Sequence, residues 1–493
     1  MVRSCAVAVL LTATGAVAAE LGEKIEALLA GSAAAQRAFW GIRIVRLAGG
    51  ETLFEKNPDQ VFVPASNTKL FTTALALERL GPDHHFDTRV AAEEAPDSSG
   101  TVRGDLRLVG GGDPTLSARD VPYRKGPITG DPLRAIEELA GQVVALGVRR
   151  IEGDILGDDT RYVWSLLPEG WAQDDLLWDY GAPVSALSLN DNVLVLTVRP
   201  GRQEGEPARL FLNPPIEFYA IDNGVLTAPR TEGPIETVRL PGKRQVRLRG
   251  AIGLRDSGRT MRLAVEDPAL FAAAALYDAL VKRGVTISGR PVAEHRFGQL
   301  DSGRKMPAET RKDVILASRQ SPPLAEILRV INKASQNLYA ELVLREVGCV
   351  RKGEGTVEKG LEELREFLKE SGLDDQDYEL SDGSGLSRLN LVSPSAVVKL
   401  LVRMRQSAHA PVWLDSLPVG GEDGTLSERF RGTSDGRRIR AKTGTLGHVS
   451  AMSGYARTKS GDELAFAVLV NNYASNASEI RGIVDRIGML MVQ

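Results

Sequence analysis

The pattern of apolar residues changes character along this chain, and that change limits what it can fold into more than any other feature. After Pro64, the run Ser66-Asn67-Thr68-Lys69 leads into Leu70, Phe71, Ala74, Leu75 and Leu77, the spacing of one helix face with Ser66 at its start. From about 90 to 300 the signal is of short β-like runs, such as 193 to 198 and 245 to 248, punctuated by Gly, Pro and charge. Helical stretches at 133 to 146 and 268 to 283 interrupt them. These runs are too apolar for a disordered linker. Helical periodicity returns over 323 to 331, 336 to 347 and 358 to 371. The chain then switches to strands at 437 to 445, 449 to 457 and 464 to 471, and closes on an amphipathic helix at 478 to 491. A hairpin, 39 to 46 and 51 to 54 around Gly49-Gly50, precedes it all. With 493 residues and no internal repeat, two or three domains are expected.

Apolar and charged fractions of 43% and 25% are those of a soluble globular protein. The formal charge of −3 gives no sign of a nucleic-acid partner, and at most a peripheral membrane contact. The first residues differ: Arg3 precedes a short apolar run from Ala6 to Leu11, and Ala16-Val17-Ala18 has the form of a cleavage site. A membrane span needs roughly 20 apolar residues, so residues 1–19 are read as a signal peptide of an exported protein, periplasmic or in the cell-wall space. Its removal takes Cys5 and leaves Cys349, so no intramolecular disulfide is expected. Cys349 follows an apolar-periodic run and reads as a buried helix-end thiol, not a nucleophile.

None of the five histidines (His84, His85, His295, His409 and His448) lies in a G-x-S-x-G elbow arrangement or at zinc-protease spacing. A serine enzyme built on this chain therefore needs another base, and a neutral lysine can serve. Lys three residues after Ser on a helix lies on the same face, and the helix N-terminus favours negative charge developing on the Ser oxygen. Ser66 and Lys69 meet both conditions. Ser302/Lys305 has the same spacing in a polar, turn-rich stretch with no helix to follow. S-x-N occurs at Ser188/Asn190, leading into a strand, and at Ser335/Asn337, opening a helix. Lys442-Thr443-Gly444 lies in a strand, whereas Lys459-Ser460-Gly461 reads as a hairpin turn. Context and chain order select Ser66/Lys69, Ser335/Asn337 and Lys442/Thr443/Gly444, the set shared by β-lactamases and penicillin-binding proteins.

With the stretches 110–116 (GGGDPTL), 180–186 (YGAPVSA) and 382–388 (DGSGLSR), the chain resembles the low-molecular-mass class C penicillin-binding proteins, the D-Ala-D-Ala carboxypeptidase/endopeptidase family, over nearly its whole mature length. The long separation of Ser66 from Ser335 fits that family's inserted domains. The resemblance implies an α/β (α+β) fold of the serine β-lactamase/penicillin-binding transpeptidase type, an antiparallel sheet with helices on both faces and two smaller β-rich inserts. The expected division is a discontinuous catalytic domain of 20–90 and 305–493, an inserted domain II of 91–164 and 264–304, and a β-rich domain III of 165–263.

On this reading Ser66 attacks the penultimate D-alanine carbonyl and Lys69 is the base, its pKa lowered by burial and by the charge of Lys442. Ser335 passes the proton to the leaving nitrogen, and Asn337 holds Lys69 and the substrate amide. Lys442 and Thr443 bind the terminal carboxylate, while Gly444 admits substrate to the strand edge. The N–H groups of Ser66 and Thr445 form the oxyanion hole. The partners are peptidoglycan stem peptides, with β-lactams as inhibitors, and the chemistry requires no metal or organic cofactor. The resemblance further implies that Asp159 and Arg388 bind a diaminopimelate-type side chain. The family's glutamine five residues after the motif lysine is Gly447 here. A β-lactamase or esterase on the same scaffold, and a non-catalytic wall-binding protein, are the competing readings. Intact Ser66, Lys69, Ser335 and Lys442 argue against the latter. Ser66→Ala is expected to abolish covalent labelling by a fluorescent penicillin with the fold intact, while Ser188→Ala and Ser302→Ala leave it unchanged, as read by gel fluorescence.

Overall fold

The strand β5 (Glu463–Asn471) is buried along almost its whole length, because both of its faces are covered. Leu464, Phe466, Val468 and Val470 pack into one core, and the alternate residues Ala465, Ala467 and Leu469 into another, the period of two that a pleated strand imposes. In this computed structural model, residues 19–240, 242–298 and 313–493 are described. The expected leader, apart from its final residue, and the Ser302/Lys305 pattern lie outside them.

β5 sits at the centre of an antiparallel sheet. The strands β1 (Phe39–Arg46) and β2 (Thr52–Lys56) form the amino-terminal hairpin, and β3 (Ile439–Leu446) and β4 (Val449–Arg457) precede β5. Their order is β3-β4-β5-β1-β2, so the two ends of the chain complete one sheet. On one face lie the helical residues 19–30 and α5 (Ala477–Met491), whose Ile480, Ile483, Val484 and Ile487 meet the Phe466 side of β5. On the other lie α1 (Thr68–Leu80), α2 (Leu324–Lys333), α3 (Asn337–Lys352) and α4 (Pro394–Arg405). The antiparallel sheet with helices on both faces is the expected fold. α4 is an addition to it; Ser393 caps it through the Ala396 N–H and Pro394 opens it.

The middle of the chain has its own core. Strands Asp87–Ala92, Leu106–Val109, Ile155–Val163, Pro291–Arg296 and Val314–Gln320 make a second five-stranded sheet. Helices Arg134–Ala145 and Pro268–Lys282, together with three three-stranded sheets, share its apolar interior. Asp87–Ala92 pairs directly with Val314–Gln320. The expected crossing at 90 therefore falls inside a strand, and 314–320 belongs to this sheet and not to the first. Polar bonds join the two regions: Tyr162 Oη to Glu346 at 2.9 Å and Ser117 to Tyr339 at 3.1 Å.

Phe466→Ala empties a fully buried position at the heart of the first sheet. The expected cost is about 3–5 kcal/mol, read as a lower urea midpoint with an unchanged slope.

Candidate active site

Ser66 lies in a single 3-10 turn, Ala65–Asn67, that runs straight into α1. Ala65 holds φ at +49°, a left-handed conformation that costs a non-glycine residue energy and persists where neighbours over-determine it. Those neighbours are identifiable. A Cβ on Gly444 of β3 would lie 2.6 Å from Pro64 O and 3.1 Å from Ser66 N, and a Cβ on Gly385 would lie 1.9 Å from Ala65 O. The glycines let a strand and a turn close on the Ser66 backbone from two sides. The space beside Gly444 is thus filled by the 64–66 backbone, where substrate access had been the expected use. Asn67 adds a bond of 2.7 Å to Ser453 of β4.

Lys69, one helical turn on, is fully buried. As an ammonium, its Nζ donates to Ser66 Oγ at 3.0 Å, Asn337 Oδ1 at 2.6 Å and Ser384 O at 2.5 Å. Loss of one proton leaves a lone pair facing Ser66 Oγ, the geometry a general base requires. Burial lowers the Lys69 pKa to about 7, while the carboxylates of Asp382 and Glu341 pull it back upward. Ser335, at φ +57° between α2 and α3, accepts from Lys442 Nζ at 2.9 Å. Lys442 also bonds to Thr443 O at 2.7 Å. Its own pKa is driven well down, first by burial and then by Lys69. Burial is the first cause of the lowering for both lysines.

β3 is an edge strand. Ala441 N–H bonds to Pro418 O on the side away from β4. The alternation of an antiparallel ladder puts the main-chain groups of Thr443 and Thr445 on that same open side. A peptide could add there as a further strand.

Several residues were given no role by sequence reasoning, although Asp382 and Tyr180 open stretches it singled out. Asp382 gathers five donors, from Ser384, Gly385, Ser387, Asn390 and Trp171 Nε1, and so fixes the turn whose Ser384 carbonyl meets Lys69. Glu341 accepts from the Gly383 and Ser384 N–H groups and from Arg345; burial and Asp382 raise its pKa to about 7. A glutamate inside an apolar-periodic helix was the available signal. Tyr180 O accepts from Asn337 Nδ2 at 2.8 Å, which turns Asn337 Oδ1 toward Lys69.

Other sequence candidates make no hydrogen bond to Lys69, Ser335 or Lys442 among the described residues. Asp159 is buried, one oxygen accepting from Ser185 Oγ at 2.8 Å and the other meeting His295 Nδ1 at 3.0 Å. His295 also stacks on Trp164, and its pKa is held up at about 9 by Asp159 and Asp267 against the effect of burial. Arg388 is exposed, 3.3 Å from Gly447 O, and its guanidinium fills the space that a side chain at 447 would take. Ser188 is buried and bonded to Ser185 O, and Ser460 lies in an exposed hairpin turn. Cys349 is a partly buried free thiol near the end of α3, its pKa raised by burial. Among the described residues, no group of three or more His, Cys, Asp or Glu is placed to hold a metal ion.

Residues 21–489 match the D-Ala-D-Ala carboxypeptidase 3 (S13) family. A D-alanyl-D-alanine carboxypeptidase from an Actinomadura species (strain R39) is 37% identical over 481 residues, covering 95% of this chain and 84% of the relative. Carboxypeptidase DacB of Mycolicibacterium smegmatis is 31% identical over 447 residues, 87% of this chain and 76% of that protein. In fold, the crystal structure of penicillin binding protein 4 (dacB) from Haemophilus influenzae superimposes with a TM-score of 0.77 at 21% identity, covering 92% of this chain and 95% of that one.

Because Lys69 must be neutral to accept a proton, Ser66 acylation should fall as pH drops through about 7. The Glu341 charge favours protonated Lys69. Glu341→Gln should therefore lower that pKa and move the acid limb to lower pH, by roughly one unit. The pH dependence of the acylation rate with a fluorescent penicillin measures both.

Proposed function

The chain belongs to the D-Ala-D-Ala carboxypeptidase 3 (S13) family, and from that premise we propose an exported serine DD-peptidase acting through a Ser66 acyl-enzyme. The observation that carries this reading is the buried Lys69 amine at 3.0 Å from Ser66 Oγ, with Ser335 and Lys442 paired at 2.9 Å. Lys69 takes the Ser66 proton as Oγ attacks the penultimate D-alanine carbonyl. The tetrahedral oxyanion sits between the N–H groups of Ser66 and Thr445. Its collapse breaks the C–N bond; Ser335 hands its proton to the departing amine and regains one from Lys69, which is thereby neutral again. Water, deprotonated by the same base, then splits the ester and restores Ser66. Lys442 and Thr443 hold the terminal carboxylate, whose charge favours the protonated form of Lys442 and offsets its burial. A β-lactam enters by the same acylation.

Cleavage of D-Ala–diamino-acid crosslinks is the second activity, since the attacked carbonyl is the same and only the leaving amine differs. Arg388, exposed beside Gly447, is proposed to meet the carboxylate of a diaminopimelate-type side chain. Asp159 would be its acidic counterpart, exchanging His295 for the ammonium. The division into a catalytic domain built from both chain ends and two inserts belongs to the same proposal, with the crossings moved to either side of the Asp87–Ala92 and Val314–Gln320 pair. Export to the periplasm rests on residues 1–19. No helix among the described residues is long and apolar enough to cross a membrane.

Incubation with purified muropeptides tests the reading. Pentapeptide monomers should lose their terminal alanine, and crosslinked dimers should yield monomers, both seen by mass analysis and both abolished in Ser66→Ala. Rapid turnover of benzylpenicillin with neither product would favour a β-lactamase instead.

A further inference from the structure

We propose that Thr425 is a second hydroxyl that grips the C-terminal carboxylate of the substrate beside Thr443, so that the site selects peptides with a free acid terminus. This rests on the peptidase reading above and extends it to a residue outside the three motifs. Thr443 donates its hydroxyl hydrogen to Thr425 Oγ1 at 2.7 Å, and Thr425 is exposed. A hydroxyl carries one hydrogen, and the hydrogen of Thr425 itself meets no acceptor among the described residues.

The residues around Thr425 are held firmly although its own side chain is open. Asp423 pairs with Lys333 Nζ at 2.5 Å and accepts the Val419 N–H at 2.9 Å. Gly424 donates its N–H to Tyr123 Oη at 3.2 Å, and at φ +56° it packs so closely that a Cβ would lie 2.8 Å from Lys333 O. Leu426 on the other side is fully buried, and its carbonyl accepts the Gly421 N–H at 3.0 Å. The Thr425 hydroxyl is thus presented at a fixed place beside β3. The Thr443–Thr425 bond adds little to a loop already anchored at both neighbours.

A carboxylate has two oxygens and accepts several hydrogen bonds. On its arrival the Thr443 hydrogen can turn to one oxygen while Thr425 donates to the other, a two-point grip of the charge-assisted kind. A terminal amide offers one uncharged oxygen and puts an NH2 donor where the second carboxylate oxygen would be, so a grip on two separate oxygens is lost.

The test compares a peptide ending in D-Ala-D-Ala with its C-terminal amide, on the full chain. Wild-type enzyme should prefer the acid. Thr425→Val, which keeps the shape, should raise KM for the acid about tenfold with kcat unchanged and alter the amide less than about twofold, while Thr425→Ser restores the wild-type KM. Equal losses on both peptides would make Thr425 a loop support and overturn the inference. An unchanged KM for the acid in Thr425→Val, with wild type active, would overturn it alone. Wild-type enzyme that cleaves neither peptide would bring down the peptidase reading as well.

Discussion

The site is organised around one demand, that a fully buried lysine amine be solvated by protein alone. An ammonium removed from water without partners is far too costly to persist, and Lys69 finds three acceptors on three segments far apart in sequence: Ser66, Asn337 and Ser384. Each acceptor is itself held. Tyr180 takes the Asn337 amino group, so the amide oxygen faces the lysine. Glu341 holds the N–H of Ser384, and Asp382 holds the rest of its turn. Burial and carboxylate field oppose one another, and their balance puts the pKa of the amine at about 7.

The middle of the chain belongs to this arrangement as well. Trp171 supplies the one Asp382 donor that comes from outside 382–390, and Tyr123 supplies the oxygen for Gly424 N–H. Tyr162 and Arg161 converge on Glu346 of α3, the helix whose first residue is Asn337. These contacts make the region between the motifs a wall and a set of braces for the site. Loosening them would act on the lysine through its acceptors, without touching the reacting atoms.

Strain is concentrated where the chain must bring the nucleophile against an edge strand. Ala65, next to Ser66, and Ser335 itself both sit at positive φ. Such conformations persist only when surrounding packing outweighs their cost. Here that packing comes from β3, from the turn at Gly385 and from the apolar core beneath α1 and α3.

Local sequence by itself determined the parts. The apolar spacing after Ser66, the helices around Ser335 and the alternating strands of the last segment all follow from short-range periodicity, which is why the motifs stood out from their decoys at Ser188 and Ser460. That both ends of the chain build one domain was implied by the family resemblance, since short-range periodicity does not report which strands pair. Tertiary structure alone decided what surrounds each part. The pairing of Asp87–Ala92 with Val314–Gln320 joins residues with no local signal for each other. Asp159 carries an exposed-type side chain in sequence, yet Ser185 and His295 enclose it. Glu341, Trp171, Tyr180 and Thr425 gain their places from contacts across long chain separations. Periodicity reports which face of an element is apolar; it carries no information about which distant polar group will be buried against that element, and the basicity of Lys69 depends on those groups.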